Sequence, residues 1–169
     1  MDNPAIAKYV QGALPDCSLQ QEEQFGQLTL VTRREFVVPL LRFLRDDPSM
    51  AFNFLMDLFG VDYLEMAGPE RFAVVYNLYS MTHGHRLLVK AFIPENDPAL
   101  DSVTALYPSA DWAERETFDM YGIHFTSHPN LRRILDPEDF VGHPLRKEFP
   151  VIGIGYRDGF EKIERSNAQ

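Results

Sequence analysis

Two stretches in the middle of the chain are rich in β-branched and aromatic residues, which pack well on a pleated sheet. They cover residues 71–81 (RFAVVYNLYSM) and 86–93 (RLLVKAFI), and a polar tip, residues 82–85, separates them. This pattern predicts two antiparallel strands joined by a hairpin. Residues 58–66 alternate more loosely between apolar and polar positions and are also predicted to be a strand.

The first third of the chain adds a hairpin and a helix to these strands. Residues 19–25 and 27–32 are predicted to be short strands on either side of a tight turn at Gly26. Runs of strands combined with separate helices are typical of the α+β class, here an antiparallel or mixed sheet packed with helices. We place this domain at residues 17–122, after an N-terminal segment at residues 1–16.

Apolar residues recur at helical spacing over residues 37–44. Upstream, Thr32 followed by Glu35 fits a capping box, a pair of side chains that satisfies free N–H groups at a helix start. Pro39 conflicts with that start, because a proline deep inside a helix removes one backbone hydrogen bond. The helix therefore either kinks at Pro39 or begins later than the capping box indicates. Residues 49–56 are compatible with a short helix or a strand.

A second helix is predicted over residues 110–121, where it closes the domain. Ser109 is a suitable N-cap, and Gly122 is a natural C-terminal stop. The stripe that should face the core follows the i, i+3, i+4 spacing, and one of its members is a carboxylate, Glu114. Two interpretations stay open. Glu114 either lies at the edge of the stripe and reaches water, or it binds a buried arginine of this chain or of a partner.

Residues 112–150 mix charges of both signs with aromatic residues. Arg115 and Asp119 lie four positions apart on the predicted outer face of the helix, where they can form a surface ion pair. From Gly142 onward, proline and glycine recur every few positions, which prevents long regular structure. The aromatic and aliphatic content is nevertheless too high for a solvated tail. We therefore predict that residues 123–169 form an extended C-terminal arm that orders against a partner.

Composition and charge narrow the possible functions. The chain has 169 residues, a formal net charge of −9 and a sequence pI of about 4.9, so nucleic acids should be repelled by most of its surface. Its single cysteine, Cys17, cannot form an internal disulfide or hold a structural zinc or an iron–sulfur cluster. We see no export signal and no apolar run that could span a bilayer, and we expect a soluble chain.

The candidate catalytic residues do not combine into an enzyme site. Glu114 and Glu116 lie two positions apart on a predicted helix and therefore point away from each other. Four of the five histidines form two close pairs, one at a hairpin tip and one ahead of a proline: His83 with His85, and His124 with His128. An exposed turn is the favoured interpretation of the first pair, and the proline argues against a shared helical face for the second. A self-contained hydrolase or metalloenzyme is the competing hypothesis.

Several long motifs resemble a known family. Residues 114–123 (ERETFDMYGI) are similar to the signature of the 30-kDa-type subunit of proton-pumping NADH:quinone oxidoreductase, respiratory complex I, which is the C-type subunit in bacteria. The similarity continues through residues 128–135 (HPNLRRIL) and 142–150 (GHPLRKEFP), and upstream through 41–48 (LRFLRDDP). It covers nearly the whole chain from about residue 30 to 157.

The resemblance implies an α+β domain followed by an extended segment that wraps over the neighbouring 49-kDa-type subunit, which helps to form the quinone site. It implies that the chain has no cofactor of its own, with FMN and iron–sulfur clusters in partner subunits. It also implies a peripheral position on the cytoplasmic side of the bacterial inner membrane. The alternative is the equivalent subunit of a related membrane-bound complex, such as an F420H2 dehydrogenase, a ferredoxin-dependent oxidoreductase or an energy-converting hydrogenase.

No catalytic, cofactor-binding or metal-binding residue is expected in this chain. Charged and polar residues of the motifs are expected at the partner interface: Glu114, Arg115, Glu116, Asp119, His128, Arg132, Arg133, Arg146 and Lys147. If Arg132 and Arg146 serve the interface, their replacement by alanine should weaken assembly and leave the melting temperature of the isolated domain nearly unchanged. The arm from Gly142 onward should be protease-sensitive in the free chain and protected in the complex.

Overall fold

The computed structural model describes residues 2–17, 19–66 and 68–154. This part of the chain contains three α-helices, seven strands and two short 3₁₀ turns, at Pro15–Cys17 and Arg34–Phe36. In chain order the helices and strands are α1 (Asn3–Ala13), β1 (Gln20–Gln24), β2 (Gln27–Arg33), α2 (Val37–Asp46), β3 (Phe54–Asp62), β4 (Phe72–Ser80), β5 (His85–Ile93), β6 (Ala99–Asp101), α3 (Ala110–Tyr121) and β7 (His124–Thr126). The part of the predicted arm after residue 154 lies outside the described residues.

Five strands form a mixed sheet in the order β1-β2-β5-β4-β3. The hairpin β1-β2 and the antiparallel meander β3-β4-β5 are both as the hydrophobic pattern predicts. The parallel pairing of β2 with β5 joins these two units into one sheet. A short parallel pair, β6 with β7, stands apart from it. The prediction of an α+β fold with a mixed sheet is therefore confirmed.

One face of the sheet carries the hydrophobic core. Alternate residues of β4, from Phe72 to Leu78, lie in register beside alternate residues of β5, from Leu87 to Ile93, and all of them are buried. Because side chains alternate between the two faces of a strand, these residues share one face. The buried stripes of α1 and α2 and the first residue of α3, Ala110, join the same cluster. Burial of apolar surface here is the main force that holds the fold together.

The first helix, α1, occupies the N-terminal segment for which the sequence pattern predicted no element. Asp2 caps it by accepting the N–H of Ala5 at 3.0 Å, and a proline in the first turn has no bond to lose there. Ile6 and Val10 are buried in the core cluster of the sheet. Residues 3–13 therefore pack as part of the domain.

Helix α2 begins at Val37, later than the capping box indicates. The hydroxyl of Thr32 donates to the Cys17 carbonyl at 3.1 Å and makes no capping bond, so the capping-box prediction is wrong. With this start Pro39 is the third residue of the helix, where its missing N–H would have had no acceptor inside the helix. Of the two alternatives for Pro39, the later start is correct.

Strand β3 begins and ends four residues earlier than predicted, at Phe54 and Asp62. It forms one edge of the sheet, and a bulge between Leu55 and Asp57 interrupts its register with β4. The bulge shifts the alternation of apolar and polar positions, and this obscured the strand in the sequence. Residues 54–56, which were ambiguous between helix and strand, belong to the strand.

Helix α3 has the predicted bounds, 110–121. Gly122 ends it with a left-handed backbone conformation, φ +72°, as expected for a C-terminal stop. Ser109 precedes the helix but makes no side-chain capping bond, so its predicted capping role is wrong; its hydroxyl donates weakly to the Leu55 carbonyl at 3.5 Å. After β7, residues 127–154 contain turns and bends without helix or strand. This segment folds back over α3.

Candidate interaction site

Asp119, in the last turn of α3, is the principal anchor of the segment that follows the helix. Its carboxylate is fully buried, and Oδ2 accepts the backbone N–H groups of Ile134, Leu135 and Asp136 at 2.8–2.9 Å. Burial by itself would raise the pKa of Asp119, but these three donors and the Arg133 guanidinium outweigh burial and hold the pKa below its ordinary value. The carboxylate is therefore ionised at neutral pH and binds a loop of its own chain.

Arg133 binds the other oxygen of the Asp119 carboxylate. Its Nη1 donates to Asp119 Oδ1 at 2.6 Å, and its Nη2 donates to the carbonyls of Phe140 and Gly142 at 3.1 and 3.0 Å. The guanidinium also lies over the Phe140 ring, 5.8 Å from its centroid. A planar guanidinium can serve several acceptors at once, which a lysine at this position could not do. One arginine thus fixes the loop between residues 133 and 142.

The C-terminal end of α3 is covered by the same segment. The carbonyls of the last helical turn have no partners inside the helix. Here the Asp119 carbonyl accepts from His143 Nδ1 (2.8 Å), the Met120 carbonyl from the Leu145 N–H (3.1 Å) and the Tyr121 carbonyl from Arg146 Nε (2.7 Å). Burial, the largest influence on His143, lowers its pKa, which favours the neutral imidazole. The segment therefore acts as the C-terminal cap of α3.

Gly122 allows this close approach. A Cβ atom at this position would lie 2.5 Å from His143 Nε2 and 2.7 Å from Arg146 Nη2, closer than real Cβ contacts come. The positive φ of Gly122 also disfavours any other residue. Both the backbone conformation and the packing of the segment thus require glycine.

A second anchor lies at the end of β3. The buried carboxylate of Asp62 accepts the backbone N–H of Lys147 at 3.0 Å and two N–H groups of the Arg71 guanidinium at 3.2 Å each. Burial raises the pKa of Asp62, but Arg71 and the backbone donors outweigh it and the pKa lies below its usual range. Arg71 also pairs with Glu95 and Glu148, and these partners raise its pKa further. The segment is therefore fastened to the sheet at Lys147.

Glu114 matches neither interpretation offered by the sequence. It is fully buried, so it does not reach water, and its partner is the Val103 N–H, which Oε1 accepts at 2.7 Å, not an arginine. Among the described residues Oε2 makes no hydrogen bond, and the nearest cationic candidate is His128 Nε2 at 3.9 Å. Burial raises the pKa of Glu114 to about 7, against the lowering influence of the Ser102 hydroxyl and the Val103 N–H. The carboxyl group is thus poised to hold a proton near neutral pH.

His128 is held beside Glu114 by two bonds. The Asn130 N–H donates to His128 Nδ1 at 3.0 Å, so in the neutral ring the proton lies on Nε2, which donates to the Asp111 carbonyl at 3.2 Å. The His128 side chain has no exposed surface. The contact brings the start of the C-terminal segment against the N-terminal half of α3.

The predicted surface pair between Arg115 and Asp119 is wrong. Asp119 binds Arg133, whereas Arg115 donates to the carbonyls of Arg132 and Arg133, both at 3.3 Å, and lies over the Trp112 ring. Both members are buried because the C-terminal segment covers the face of α3 that was expected to be exposed. The sequence pattern of α3 showed only the stripe toward the sheet and could not show a second covering layer.

The expected interface residues fall into two groups. One group contacts the protein itself: Glu114, Arg115, Asp119, His128, Arg133 and Arg146. The other group is exposed: Glu116, Arg132 and Lys147. Contact of these residues with a partner remains a prediction. Sequence reasoning missed Asp62 and Arg71 as anchors, because no local pattern marks a carboxylate whose partner lies 85 positions away.

Of the residues in the competing enzyme hypothesis, Glu114 and His128 are the only carboxylate and histidine shown close together in the described part of the chain, with Oε2 and Nε2 3.9 Å apart and both side chains buried. Glu114 is buried while Glu116, on the opposite side of the helix, is exposed. The rings of His83 and His85 stack with centroids 6.1 Å apart, and His83 Nε2 lies 2.9 Å from the Pro48 carbonyl. Within residues 2–17, 19–66 and 68–154, no three His, Cys, Asp or Glu side chains come together as a metal site would need.

The fold and this site define a class of protein: an α+β domain whose buried carboxylates hold its own C-terminal extension against its last helix. Residues 30–154 match the family model described as respiratory-chain NADH dehydrogenase, 30 kDa subunit. The chain therefore belongs to that family, and it is a subunit of the NADH-quinone oxidoreductase complex. The family predicted from the sequence motifs is confirmed.

Relatives and solved structures agree with this assignment. The C-type subunit of NADH-quinone oxidoreductase from Roseiflexus castenholzii is 50% identical over 152 residues, 89% of this chain and 86% of that protein. The same subunit from Hyphomonas neptunium is 46% identical over 168 residues, 98% of this chain and 81% of that protein. The structure of the trypsin-resistant fragment (1–134) of Nqo5 superimposes with a TM-score of 0.68 at 36% identity, and covers 78% of this chain and 100% of the fragment.

A chain of the membrane-bound sulfane sulfur reductase, an archaeal respiratory membrane complex, has a TM-score of 0.74 at 20% identity and covers 98% of this chain and 97% of that chain. At that identity the likeness shows the fold alone. None of the helices in the described ranges is both long and apolar enough to cross a membrane.

Proposed function

We propose that this chain is a cofactor-free subunit of the peripheral arm of proton-translocating NADH:quinone oxidoreductase. Its role is to support assembly with the 49-kDa-type subunit that forms the quinone site, and it takes no part itself in catalysis. FMN and the iron–sulfur clusters are held by partner subunits. The chain lies at the cytoplasmic face of the bacterial inner membrane and is held there through the complex.

The observation that carries this proposal is a row of exposed apolar side chains on the C-terminal segment. The backbone of this segment is fixed from within, by Asp119 near its start and by Asp62 near Lys147. Apolar side chains on an ordered surface segment are typical of a face that another protein covers. Two exposed members lie before the Lys147 contact and three lie after it: Val141 and Leu145, then Val151, Ile152 and Ile154.

Charge supports the same role. Arg132 and Lys147 are exposed on this segment, and Glu116 is exposed on the helix beneath it. Charges at the rim of an interface guide the approach of a partner and fix its register more than they add affinity. Lys147 also contacts its own chain, through its backbone N–H to Asp62 and through its Nζ to the Leu64 carbonyl at 3.5 Å. Its side chain is nevertheless exposed, as are those of Arg132 and Glu116, and a neighbouring subunit can reach all three.

A double variant of the apolar row tests the assembly role. In a strain that makes only the variant protein, Val151→Asp with Ile152→Asp should lower the amount of 49-kDa-type subunit in the purified complex by roughly tenfold or more. The melting temperature of the isolated variant chain should stay unchanged. Met81→Asp, an exposed apolar position on the distant β4-β5 turn, is the matched control. Normal assembly of the double variant would contradict the proposal.

The cofactor-free role has its own test. The full chain, purified alone, should contain neither flavin nor iron in stoichiometric amount, and it should not oxidise NADH. Flavin absorbance and elemental analysis measure the first, and a dye-linked NADH assay measures the second. A bound flavin or metal at one equivalent would contradict this part of the proposal and leave the assembly role open to its separate test.

The equivalent subunit of a related membrane-bound complex is the second candidate. The chain of an archaeal respiratory membrane complex with the same fold, at 20% identity, does not distinguish between the two candidates. The electron donor oxidised by the purified complex separates the two candidates. NADH supports the first, whereas F420H2 or reduced ferredoxin supports the second.

A further inference from the structure

A groove runs along the open edge of the sheet, between β3 and α3. β3 pairs with β4 on one side, and within the described residues no strand pairs with its outer side. The groove has a volume of about 310 Å³ and is lined by both elements and by the start of the C-terminal segment. An edge strand offers N–H and C=O groups that an extended chain can use for pairing. Here the Leu58 N–H donates to Asp57 Oδ1 at 2.8 Å and the Leu55 carbonyl accepts weakly from the Ser109 hydroxyl at 3.5 Å, so an incoming chain displaces these two local contacts.

Large apolar side chains surround this groove and remain exposed. Met56 is 41% exposed, Leu135 is 62% exposed and Trp112 is 65% exposed. The Trp112 ring is held in place by the Arg115 guanidinium, which lies 5.3 Å from its centroid and is itself bound to two backbone carbonyls. An aromatic side chain that is fixed but uncovered is typical of a binding surface.

The charged residues that line the groove are both acidic. Asp57 and Glu116 line it, and the lining contains no lysine or arginine in the part of the chain that the structure describes. Both carboxylate residues are exposed. A partner that fits this surface therefore presents a basic side chain next to an apolar one.

We propose that the groove binds an extended segment of a neighbouring polypeptide in the complex, which pairs with β3 and carries a lysine or arginine beside an apolar side chain. A second copy of this chain is a poorer fit. Edge-to-edge pairing of two copies would bring their Asp57 residues together, and each copy already has a net charge of −9.

The groove lining shares no residue with the exposed row at residues 141–154, although Glu116, one of the interface charges proposed above, belongs to the groove. The first experiment therefore measures both surfaces at once, by hydrogen exchange in the free full chain and in the purified complex. Amides of residues 54–58 should exchange at least about tenfold more slowly in the complex. If these amides exchange equally in both states, the groove proposal is overturned, whatever happens at residues 141–154. Protection of the groove without protection of residues 141–154 would support it and count against the assembly role proposed above.

A charge-reversal experiment tests the chemistry of the partner. Trp112 is the only tryptophan of the chain, so its fluorescence reports directly on the groove. The probes are two synthetic peptides, one alternating lysine with valine and one alternating glutamate with valine. The full chain should bind the basic peptide roughly tenfold more tightly, and Asp57→Lys with Glu116→Lys should reverse that preference. Glu138→Lys with Asp139→Lys, two exposed acidic positions outside the groove lining, is the matched control and should keep the original preference.

In the peptide experiment, equal binding of both peptides, or of neither, by the unaltered chain would overturn the proposal. A separate sedimentation measurement would overturn it by showing concentration-dependent dimerisation of the free chain, together with protection of residues 54–58 from hydrogen exchange in the dimer. That result would assign the groove to a second copy.

Discussion

The carboxylate of Asp62 accepts the backbone N–H of Lys147 at 3.0 Å, across 85 positions of sequence. Asp62 ends the edge strand of the sheet, and Lys147 lies in a segment without helix or strand. The contact holds the segment after β7 to the sheet at a second point, beyond the loop that Asp119 binds. Two buried carboxylates, each with a depressed pKa, thus fix the path of an irregular segment.

Asp119→Ala should be strongly destabilising. The change strands the Arg133 guanidinium and leaves three N–H groups without an acceptor, and breaking a buried pair in this way typically costs about 3–5 kcal/mol. Urea denaturation measures the loss in free energy of unfolding. Glu116→Ala, an exposed acidic residue of the same helix, should change that free energy by less than about 0.5 kcal/mol. Equal effects of the two variants would show that the Asp119 anchor contributes little.

Gly122→Ala should also destabilise the protein, by about 1–2 kcal/mol from the positive φ alone. The Cβ contact with His143 and Arg146 adds to this, because those side chains must move away from the end of α3. Gly12, near the end of α1, is the matched control. Nothing lies within 4 Å of a Cβ there, so Gly12→Ala should stabilise the protein by about 0.5–1 kcal/mol. Thermal unfolding of both variants gives the comparison, and a stabilised Gly122→Ala would contradict the assigned packing.

Glu114 should make the protein less stable as pH rises from about 4.5 to about 7. Its pKa is about 7 in the folded protein against 4.5 when unperturbed, so over this range the folded state binds more protons than the unfolded state. The stabilisation is fully present below the lower value and is lost as pH approaches the upper one, at about 1.4 kcal/mol per pH unit and roughly 3 kcal/mol in all. Asp62 and Asp119 act in the opposite sense and below their ordinary pKa, so they do not mask this slope. His143, whose pKa burial lowers from 6.5, also acts in the opposite sense and does so within this range, so the slope of Glu114 is read from the comparison with a variant that retains His143.

The variant Glu114→Gln isolates that effect. Its amide is neutral at every pH, and its oxygen can still accept the Val103 N–H. Urea denaturation between pH 5 and 7.5 should show a smaller decline for Glu114→Gln than for the unaltered chain, while Glu116→Gln should decline as the unaltered chain does. Asp111 and His128, the other titratable groups nearby, are retained in all three proteins. Parallel curves for all three would assign the slope to another group.

Asp62→Asn should expose the segment around Lys147 to trypsin. The variant loses a charged acceptor for the Lys147 N–H and for Arg71, so the segment should open more often. In the free chain, cleavage after Arg146 and Lys147 should become faster, while cleavage after Arg86, in β5, should not change. Mass spectrometry of a time course follows each bond separately. The sequence pattern predicted a protease-sensitive arm from Gly142, and the same time course on the unaltered chain tests that expectation.

The two arginines expected at the interface should behave differently. Arg146 donates to the Tyr121 carbonyl at 2.7 Å and lies 5.0 Å from the centroid of the Phe72 ring, so Arg146→Ala should lower the free energy of unfolding by about 1.5–3 kcal/mol. This revises the expectation that the isolated domain would be unaffected. Arg132 is exposed, and Arg132→Ala should weaken assembly and leave the melting temperature within experimental error. Thermal unfolding of the isolated chain and the amount of 49-kDa-type subunit in the complex measure the two effects.

Much of the domain could be predicted because its signals are local. The alternation of apolar residues in β4 and β5 and the helical spacing of α3 depend on neighbours within a few positions. The bounds of α3 and its glycine stop follow from these signals, as does the antiparallel meander. β3 was misplaced where a bulge breaks the alternation, and α2 was started too early because Thr32 uses its hydroxyl for a distant carbonyl.

The candidate site was harder to predict for a physical reason. A charged residue on a helix surface has the same sequence pattern whether water or another segment covers it, so Arg115 and Asp119 were expected to be exposed. The covering segment has no periodicity of its own, and its path is set by hydrogen bonds to Asp119 and Asp62. Such bonds depend on positions in space, which local sequence patterns do not encode.

The sequence by itself determined the α+β class, the positions of most elements and the family, because hydrophobic periodicity and long motifs are properties of the chain alone. Only the tertiary structure decided which carboxylates are buried and what they bind. Burial of a charge is stable only where donors converge on it, and here a donor 85 positions away reaches the Asp62 carboxylate only once the sheet, α3 and the C-terminal segment have packed together.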